Sequence, residues 1–164
     1  MIPSSSDPAA FRPHDHARCR GRALGAAREA CAARGLRLTP ARAFALETLL
    51  ESHRAMTAYE LLDRMRAAGL GSQPPVAYRA LDFLVEHGFA HRIERLGAFV
   101  ACAGGSGPHP AAFLICRSCR SVAEAELSGT PPELAALAGA AGFAPERVTM
   151  EAEGLCAACR EARA

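Results

Sequence analysis

The stretch PPVAYRALDFLVEHGFAHRIERLGAFVAC, residues 74–102, changes partway from a helical to an extended pattern of apolar side chains. The Pro-Pro pair precedes a predicted helix that runs to Gly88, because its apolar residues recur at helical spacing. The inward stripe of this helix consists of Ala77, Leu81, Leu84 and Val85. Residues 89–102 then have the pattern of two short strands joined by a turn, which predicts a β-hairpin.

Three further helices are predicted upstream of this stretch. Residues 19–35 form the first of them. Thr39 followed by Pro is typical of a helix cap and the first helical position, which predicts a second helix over roughly residues 40–52. Thr57 and Glu60 have the spacing of a capping box, so a third helix begins there. Short helices followed by such a helix and hairpin are typical of the winged helix-turn-helix, in which the last helix reads DNA.

The rest of the chain predicts a second, smaller unit. The segment AGGSGPHP, residues 103–110, is the best candidate for a hinge. Beyond it the predicted order is strand 111–116, strand 121–127, helix 131–141 and strand 146–152. The predicted fold class is α+β, with a disordered tail (1–18), a winged-helix DNA-binding domain (19–102), the hinge (103–110) and a small α/β domain (111–164).

Charge is distributed unevenly along the chain. Every basic residue is Arg, and the formal net charge is +4 over residues 1–100 but −2 over residues 101–164. A basic N-terminal half fits an anionic partner there, and many ordinary domains show the same asymmetry. No apolar stretch resembles a signal peptide or a membrane span, so we expect a cytoplasmic protein without a membrane partner.

Two Cys-x-x-Cys pairs in the C-terminal third are the strongest indication of a metal site. The pairs Cys116/Cys119 and Cys156/Cys159 supply four thiols, which match the tetrahedral coordination of Zn²⁺. Because a site with four cysteine ligands leaves no open coordination position, we expect its role to be structural. The lack of an export signal favours metal ligation over disulfides. Four unrelated buried thiols and a disulfide-bonded secreted domain are the alternatives.

Several of these motifs together resemble a known family. Thr39-Pro40-x-Arg42, Tyr78-Arg-Ala-Leu81, the hairpin and the two Cys pairs are similar to motifs of the ferric uptake regulator family. The run from Tyr78 to His91 and the ending Gly154–Cys159 resemble its zinc uptake regulator branch. The resemblance covers about residues 19–160. It implies a homodimeric, metal-dependent repressor whose N-terminal winged helix reads DNA and whose C-terminal domain dimerises and binds metal.

Other candidate metal ligands lie around the hinge. They are His91, Cys102, His109 and Glu124, with Glu126 as an alternative to Glu124 on the same side of a strand. One thiolate with two imidazoles suits tetrahedral Zn²⁺ better than Fe²⁺ or Mn²⁺. The resemblance implies the same four positions as the regulatory zinc site. We expect a metal there to fix the angle between the domains, and with it the separation of the two reading helices in a dimer.

Candidate DNA contacts lie at the start of the fourth helix. Tyr78 and Arg79 open its outward face, where side chains of a recognition helix reach base edges. The predicted phosphate contacts are Arg37, Arg42, Arg92 and Arg95. A solvated surface role is equally open for each Arg. Val76 stands where the family usually has Thr and cannot cap the helix, so the cap shifts to Ser72 or Gln73 if the boundary moves.

Asp63 and Arg66 lie on the outward face of the third helix and have two interpretations. They are either a local i,i+3 pair, which stabilises a helix by about 0.2–0.5 kcal/mol, or, as the resemblance implies, residues that form salt bridges between two dimers on one operator.

The resemblance, together with the donor chemistry, implies a zinc-responsive transcriptional repressor rather than an enzyme. The expected partners are a double-stranded DNA operator and a second copy of the chain, with one or two dimers on each operator and no small-molecule substrate. Two Zn²⁺ per subunit are expected, one structural and one regulatory. The zinc-loaded homodimer is expected to bind palindromic operators and to repress zinc-uptake genes when zinc is sufficient.

Three alternatives remain at this point. An iron or manganese sensor of the same family is opposed by Cys102 and by the single His109, where iron-type members carry a His-rich run. A zinc metalloenzyme that uses Glu124 as its base lacks a His-Glu-x-x-His motif. A zinc-stabilised protein-interaction module without DNA binding is the third.

Overall fold

The computed structural model describes residues 9–11, 15–102, 111–126 and 129–162. Its N-terminal helices are α1 (His16–Ala33), α2 (Pro40–Leu49), α3 (Ala58–Ala67) and α4 (Pro74–Glu86). A hairpin of β1 (Ala90–Ile93) and β2 (Ala98–Ala101) follows, with a 3-10 turn, Glu94–Leu96, at its tip. The C-terminal elements are β3 (Ala111–Cys116), β4 (Val122–Glu126), α5 (Pro132–Ala140), β5 (Thr149–Gly154) and α6 (Ala157–Glu161). The helices and hairpin form the predicted winged helix, and the fold class is α+β.

Side-chain caps fix where the first three helices begin. Helix α1 begins at His16, three residues earlier than predicted, because the carboxylate of Asp15 accepts a hydrogen bond from the Arg18 amide. Residues 9–11 form a short 3-10 helix, so part of the expected tail is helical. Helix α2 has Thr39 as its cap, and the predicted capping box of Thr57 and Glu60 is present at the start of α3. These local hydrogen bonds satisfy amide groups that the first helical turn leaves unpaired.

Helix α4 begins without a side-chain cap. Its first residue is Pro74, and the preceding Gln73 makes no side-chain hydrogen bond to the helix, so the suggested cap by Gln73 is wrong. Pro74 and Pro75 carry no amide hydrogen, which removes two of the donors that a cap would serve. The helix ends before Gly88, which adopts a φ of 77°.

Two apolar clusters hold the described chain together. The first fills the centre of the helical part, where Leu46, Leu61, Met65, Leu81 and Leu84 are almost completely buried. The second joins the hairpin to the C-terminal sheet, and its members are Ala55, Ile93, Ala98, Val100, Ala111, Phe113, Ile115 and Val122. Because this second cluster draws on both parts of the chain, the wing packs directly against the sheet.

The C-terminal sheet has the strand order β4-β3-β5, with β4 antiparallel and β5 parallel to β3. In this register Phe113 pairs with Glu124 on one side and Glu151 on the other, so the three form one row across the sheet. Strand β5 lies later than the predicted 146–152, and the short helix α6 was not predicted. The proposed hinge, 103–110, lies outside the described residues. Within the described ranges, no helix combines the length and apolarity needed to cross a membrane.

Candidate metal centres and nucleic-acid interface

The four cysteines of the two Cys-x-x-Cys pairs converge in the structure. The Sγ atoms of Cys116, Cys119, Cys156 and Cys159 all lie within 4.8 Å of one another. Cys116 ends β3, Cys119 lies in the following turn, Cys156 is the cap residue of α6 and Cys159 lies within it. The short helix α6 therefore brings Cys156 and Cys159 to the first pair, although 36 residues separate the two pairs in the sequence. Four sulfurs at this separation fit a tetrahedral zinc ion.

The thiols of this cluster do not titrate alike. Burial raises the pKa of Cys116, but hydrogen bonds from the backbone amides of Cys119, Cys156 and Ser118 outweigh burial and lower it to about 6. A hydrogen bond with Ser118 lowers the pKa of Cys159, but contacts with the other thiols, chiefly Cys156, and burial raise it to about 11. The cluster therefore favours the thiolate of Cys116 and opposes further negative charge on its neighbours. A bound divalent cation removes that opposition, because it stabilises every thiolate around it.

The turn between Cys116 and Val122 also contacts the winged helix. The Val122 amide donates to the carbonyl of His53 at 2.8 Å, and the Ala55 amide donates to the carbonyl of Arg120 at 3.2 Å. Arg120 has a φ of 62° and its guanidinium lies 3.5 Å from the Glu60 carboxylate. The cysteine cluster therefore shapes a turn that supports the start of α3.

A second cluster lies where the wing meets the sheet. One ligand atom each from His91, Cys102 and Glu124 lies within 4.8 Å of the others. The Nε2 atom of His91 is 3.0 Å from Oε1 of Glu124, and Sγ of Cys102 is 3.8 Å from the same oxygen. The His91 and Glu124 side chains are only 15% and 7% exposed. Three of the four predicted ligands are thus brought together, while His109 and the Glu126 side chain lie outside the described set.

His91 has a strongly shifted pKa. Burial lowers the pKa of His91, but hydrogen bonds to Cys102 and Glu124 and the charges of both groups raise it to about 9. The imidazole ring also lies 5.0 Å from the Phe113 ring, centroid to centroid. A cation bound at this site must displace a proton from the imidazole, because only neutral His ligates metal.

The outward face of α4 is exposed as predicted. The Tyr78 side chain is 42% exposed and Arg79 is also exposed. Nothing in the described part of the chain forms a hydrogen bond or ion pair with the Arg79 side chain, which is therefore available to an external partner. A guanidinium at this position can donate two hydrogen bonds to a guanine edge.

Of the predicted phosphate contacts, Arg42 has side-chain partners within the chain. The Arg42 guanidinium lies 3.8 Å from the centre of the Phe83 ring and donates to the Arg37 carbonyl at 2.7 Å. This contact makes Arg42 a support for α4 as well as a candidate phosphate contact. The Arg37 side chain itself is exposed.

The arginines of the wing form ion pairs. Arg92 lies 3.3 Å from Glu94, and Arg95 lies 3.3 Å from Glu153. The Arg95 pair crosses from the wing to β5, and partners that lie 58 residues apart leave no local signal in the sequence.

On α3, Asp63 and Arg66 form the predicted local pair, with 2.9 Å between Oδ1 and the guanidinium. Their side chains are 72% and 55% exposed, so both remain accessible from outside. An exposed i,i+3 pair of this kind contributes little to stability, on the order of 0.5 kcal/mol.

A winged helix shares an apolar cluster here with a sheet domain whose four cysteines can hold a metal ion. This combination defines a class of protein, the metal-binding winged-helix transcription regulators. No family model matches the chain. Curated proteins do match: the zinc uptake regulation protein of Escherichia coli strain K12 is 42% identical over 142 residues, covering 86% of this chain and 83% of that protein. The protein of the same name from Shigella flexneri matches equally. The chain belongs to the zinc uptake regulation protein family.

Solved structures agree with this assignment. A zinc uptake regulator complexed with zinc and DNA has a TM-score of 0.80 at 39% identity, covering 88% of this chain and 97% of that one. Holo XcZur has a TM-score of 0.73 at 42% identity, with 90% of this chain and 99% of that chain covered. Apo XcZur, at 43% identity and with coverage of 87% and 99%, reaches only 0.50. At nearly equal identity, the chain is thus more similar in structure to holo XcZur than to apo XcZur.

Proposed function

We propose that this chain is a zinc-responsive transcriptional repressor whose zinc-loaded homodimer binds palindromic operators of zinc-uptake genes. The observation that carries the proposal is the convergence of His91, Cys102 and Glu124 at the junction of wing and sheet. A thiolate, an imidazole and a carboxylate are a donor set that suits zinc better than iron or manganese.

The donor atoms of this site come from both sides of the junction. His91 lies on β1 of the wing and Cys102 directly follows β2, whereas Glu124 lies on β4 of the sheet. When bound, zinc supplies a divalent charge that these donors share, and His109 is the proposed fourth ligand. The His91 and Glu124 side chains then fix the wing against the sheet. Zinc favours this arrangement of wing and sheet because it binds more tightly to it than to arrangements in which the three donors are apart.

The four-cysteine cluster is proposed as the second zinc site of each subunit. Its ligands all belong to the C-terminal part, so it does not link the two sides of the junction. Its closed donor set suits a permanently bound structural ion. The proposed stoichiometry is therefore two zinc ions per subunit, one structural and one exchangeable.

The proposed homodimer uses the open edge of the sheet. Strand β5 has a neighbour on one side among the described strands. Met150 on this strand is 45% exposed, and Leu137 on α5 and Phe143 just after α5 are 68% and 67% exposed. An edge strand beside exposed apolar side chains is the kind of surface that a second copy covers.

Dimerisation gives the metal site its effect on DNA. In a dimer, two α4 helices must enter successive major grooves at a fixed separation. An arrangement that fixes each winged helix against its sheet sets this separation and so favours operator binding. Tyr78 and Arg79 are the proposed base contacts, and Arg37 and Arg42 the proposed phosphate contacts. Asp63 and Arg66 are the proposed contacts between two dimers on one operator.

The test is an operator mobility-shift assay with metal-free protein to which zinc, iron(II) or manganese(II) is added back. The DNA is a promoter from a zinc-transport operon, with an unrelated promoter as control. We expect a shift with zinc at concentrations where the other two metals give none. The absence of a shift at any zinc concentration contradicts the proposal, and an equal response to iron favours the iron-sensor alternative.

A further inference from the structure

Glu151 lies opposite Glu124 in the row of residues that crosses the sheet, and it contacts the tip of the wing. Its Oε1 atom accepts a hydrogen bond from the Glu94 amide at 2.7 Å, and Oε2 accepts one from the Arg95 amide at 2.9 Å. Both oxygens of one carboxylate are therefore occupied by consecutive backbone amides of another part of the chain. Hydrogen bonds to an ionised acceptor are stronger than neutral ones.

The wing strand β1 spans this row of the sheet. His91 contacts Glu124 at one end of the row, its ring lies over Phe113 in the middle, and the residues after β1 reach Glu151 at the other end. The wing is thus held to the sheet at two points, one at the metal cluster and one remote from it. The ion pair between Arg95 and Glu153 reinforces the second point.

We propose that Glu151 is a positioning residue for the regulatory site. It anchors the wing tip to β5 and so favours the arrangement in which His91, Cys102 and Glu124 converge, without itself contacting them. This anchor uses none of the metal ligands, so it contributes to ordering the wing independently of the ligand atoms themselves. The consequence for operator affinity rests on the proposed function; the consequence for zinc affinity does not.

The experiment compares the full-length Glu151→Gln variant with Glu133→Gln, which removes the same charge from an exposed carboxylate on α5. Hydrogen exchange of the Glu94 and Arg95 amides reports the anchor, and chelator competition reports zinc affinity at the exchangeable site. In Glu151→Gln we expect both amides to exchange about tenfold faster and zinc affinity to fall by about three- to tenfold. Glu133→Gln is expected to match the wild type in both measurements.

Two outcomes overturn the inference. If the amides exchange faster but zinc affinity equals that of Glu133→Gln, Glu151 is only a local cap. If the amides keep their protection, the carboxylate does not anchor the wing. If Glu151→Gln loses its cooperative unfolding transition, Glu153→Gln is compared with Glu133→Gln instead. Glu153→Gln removes only the ion pair to Arg95 at the same anchor. We then expect zinc affinity to fall by about twofold.

Operator binding is measured in parallel. Wild-type protein that fails to bind operator with zinc contradicts the proposed function but leaves the zinc-affinity comparison intact. Operator binding that is zinc-dependent in the wild type and weakened in Glu151→Gln supports both.

Discussion

The Nε2 atom of His91 lies 3.0 Å from the Oε1 atom of Glu124, and this contact joins the wing to the C-terminal sheet. His91 belongs to β1 and Glu124 to β4, so neither side of the junction supplies the site alone. Cys102, at the end of the hairpin, completes the described cluster. Under the proposed function, a cation held by these three side chains would set the angle between the two structural units, which a regulator that reads spaced DNA half-sites requires.

The two metal clusters are expected to respond differently to loss of a ligand. Cys102→Ser should yield a folded protein that retains about one zinc per subunit, whereas Cys116→Ser should lose the structural ion and much of its stability. The reason is that Cys116 is fully buried and its turn supports the start of α3 through Arg120. Metal analysis after gel filtration, with thermal unfolding alongside, measures both effects. An equal loss of thermal stability in the two variants would contradict the division of roles.

Two arginines predicted to contact DNA should behave differently when replaced. Arg79→Ala should weaken operator binding by about 1–3 kcal/mol and relax base preference, with unchanged thermal stability, because its side chain has no described partner. Arg42→Ala should lower stability by about 1 kcal/mol, because it removes the contact with Phe83 and the hydrogen bond to the Arg37 carbonyl. Operator titration and thermal unfolding separate the effects. A loss of stability in Arg79→Ala would count against its role.

The capping carboxylate of Glu60 should make α3 sensitive to acid. The Thr57 amide, the Thr57 hydroxyl and Arg120 lower the pKa of Glu60 below its usual 4.5. A lowered folded-state pKa gives stability that is present above the unfolded pKa and is lost as pH falls through the folded one. Glu60→Gln should therefore destabilise the protein by about 1 kcal/mol at pH 7, and by less near pH 3. Denaturant unfolding at both pH values checks this, with Glu133→Gln as control. A pH-independent difference would exclude the carboxylate charge as the cause.

Local signals in the sequence were sufficient for most of the winged helix. Thr39, Thr57 and Glu60 marked two helix starts because their hydrogen bonds reach no further than three residues. The same reasoning could have placed the start of α1, since Asp15 is also a cap residue. It failed at Gln73, where two prolines remove the need for a cap.

Contacts between distant elements could not be read from the sequence. The hydrogen bonds of Glu151 span 56 and 57 residues and depend on the register of β5 beside β3. Strand β5 begins three residues later than predicted because its bounds follow its pairing with β3. The convergence of His91, Cys102 and Glu124 was expected from donor chemistry and family resemblance, but their distances arise from packing between wing and sheet.

The exposed apolar side chains of α5 and β5 should be needed for dimerisation. Leu137→Glu combined with Met150→Glu should weaken self-association by at least about tenfold, since it places charges in an apolar contact. Tyr59→Glu is the control, because Tyr59 is 64% exposed but lies on α3. Analytical ultracentrifugation without DNA measures the effect. Dimers that persist in the double variant would require a different interface.

Operator binding across a range of free zinc, with wild type and Cys102→Ser side by side, tests the central claim most directly. Wild-type protein should bind operator only as zinc is added. The variant should need about 100-fold more zinc for the same occupancy, because it lacks a ligand of the exchangeable site. Both should carry the structural zinc throughout. Zinc dependence in Cys102→Ser identical to that of the wild type would remove this cluster from the sensor and contradict the account.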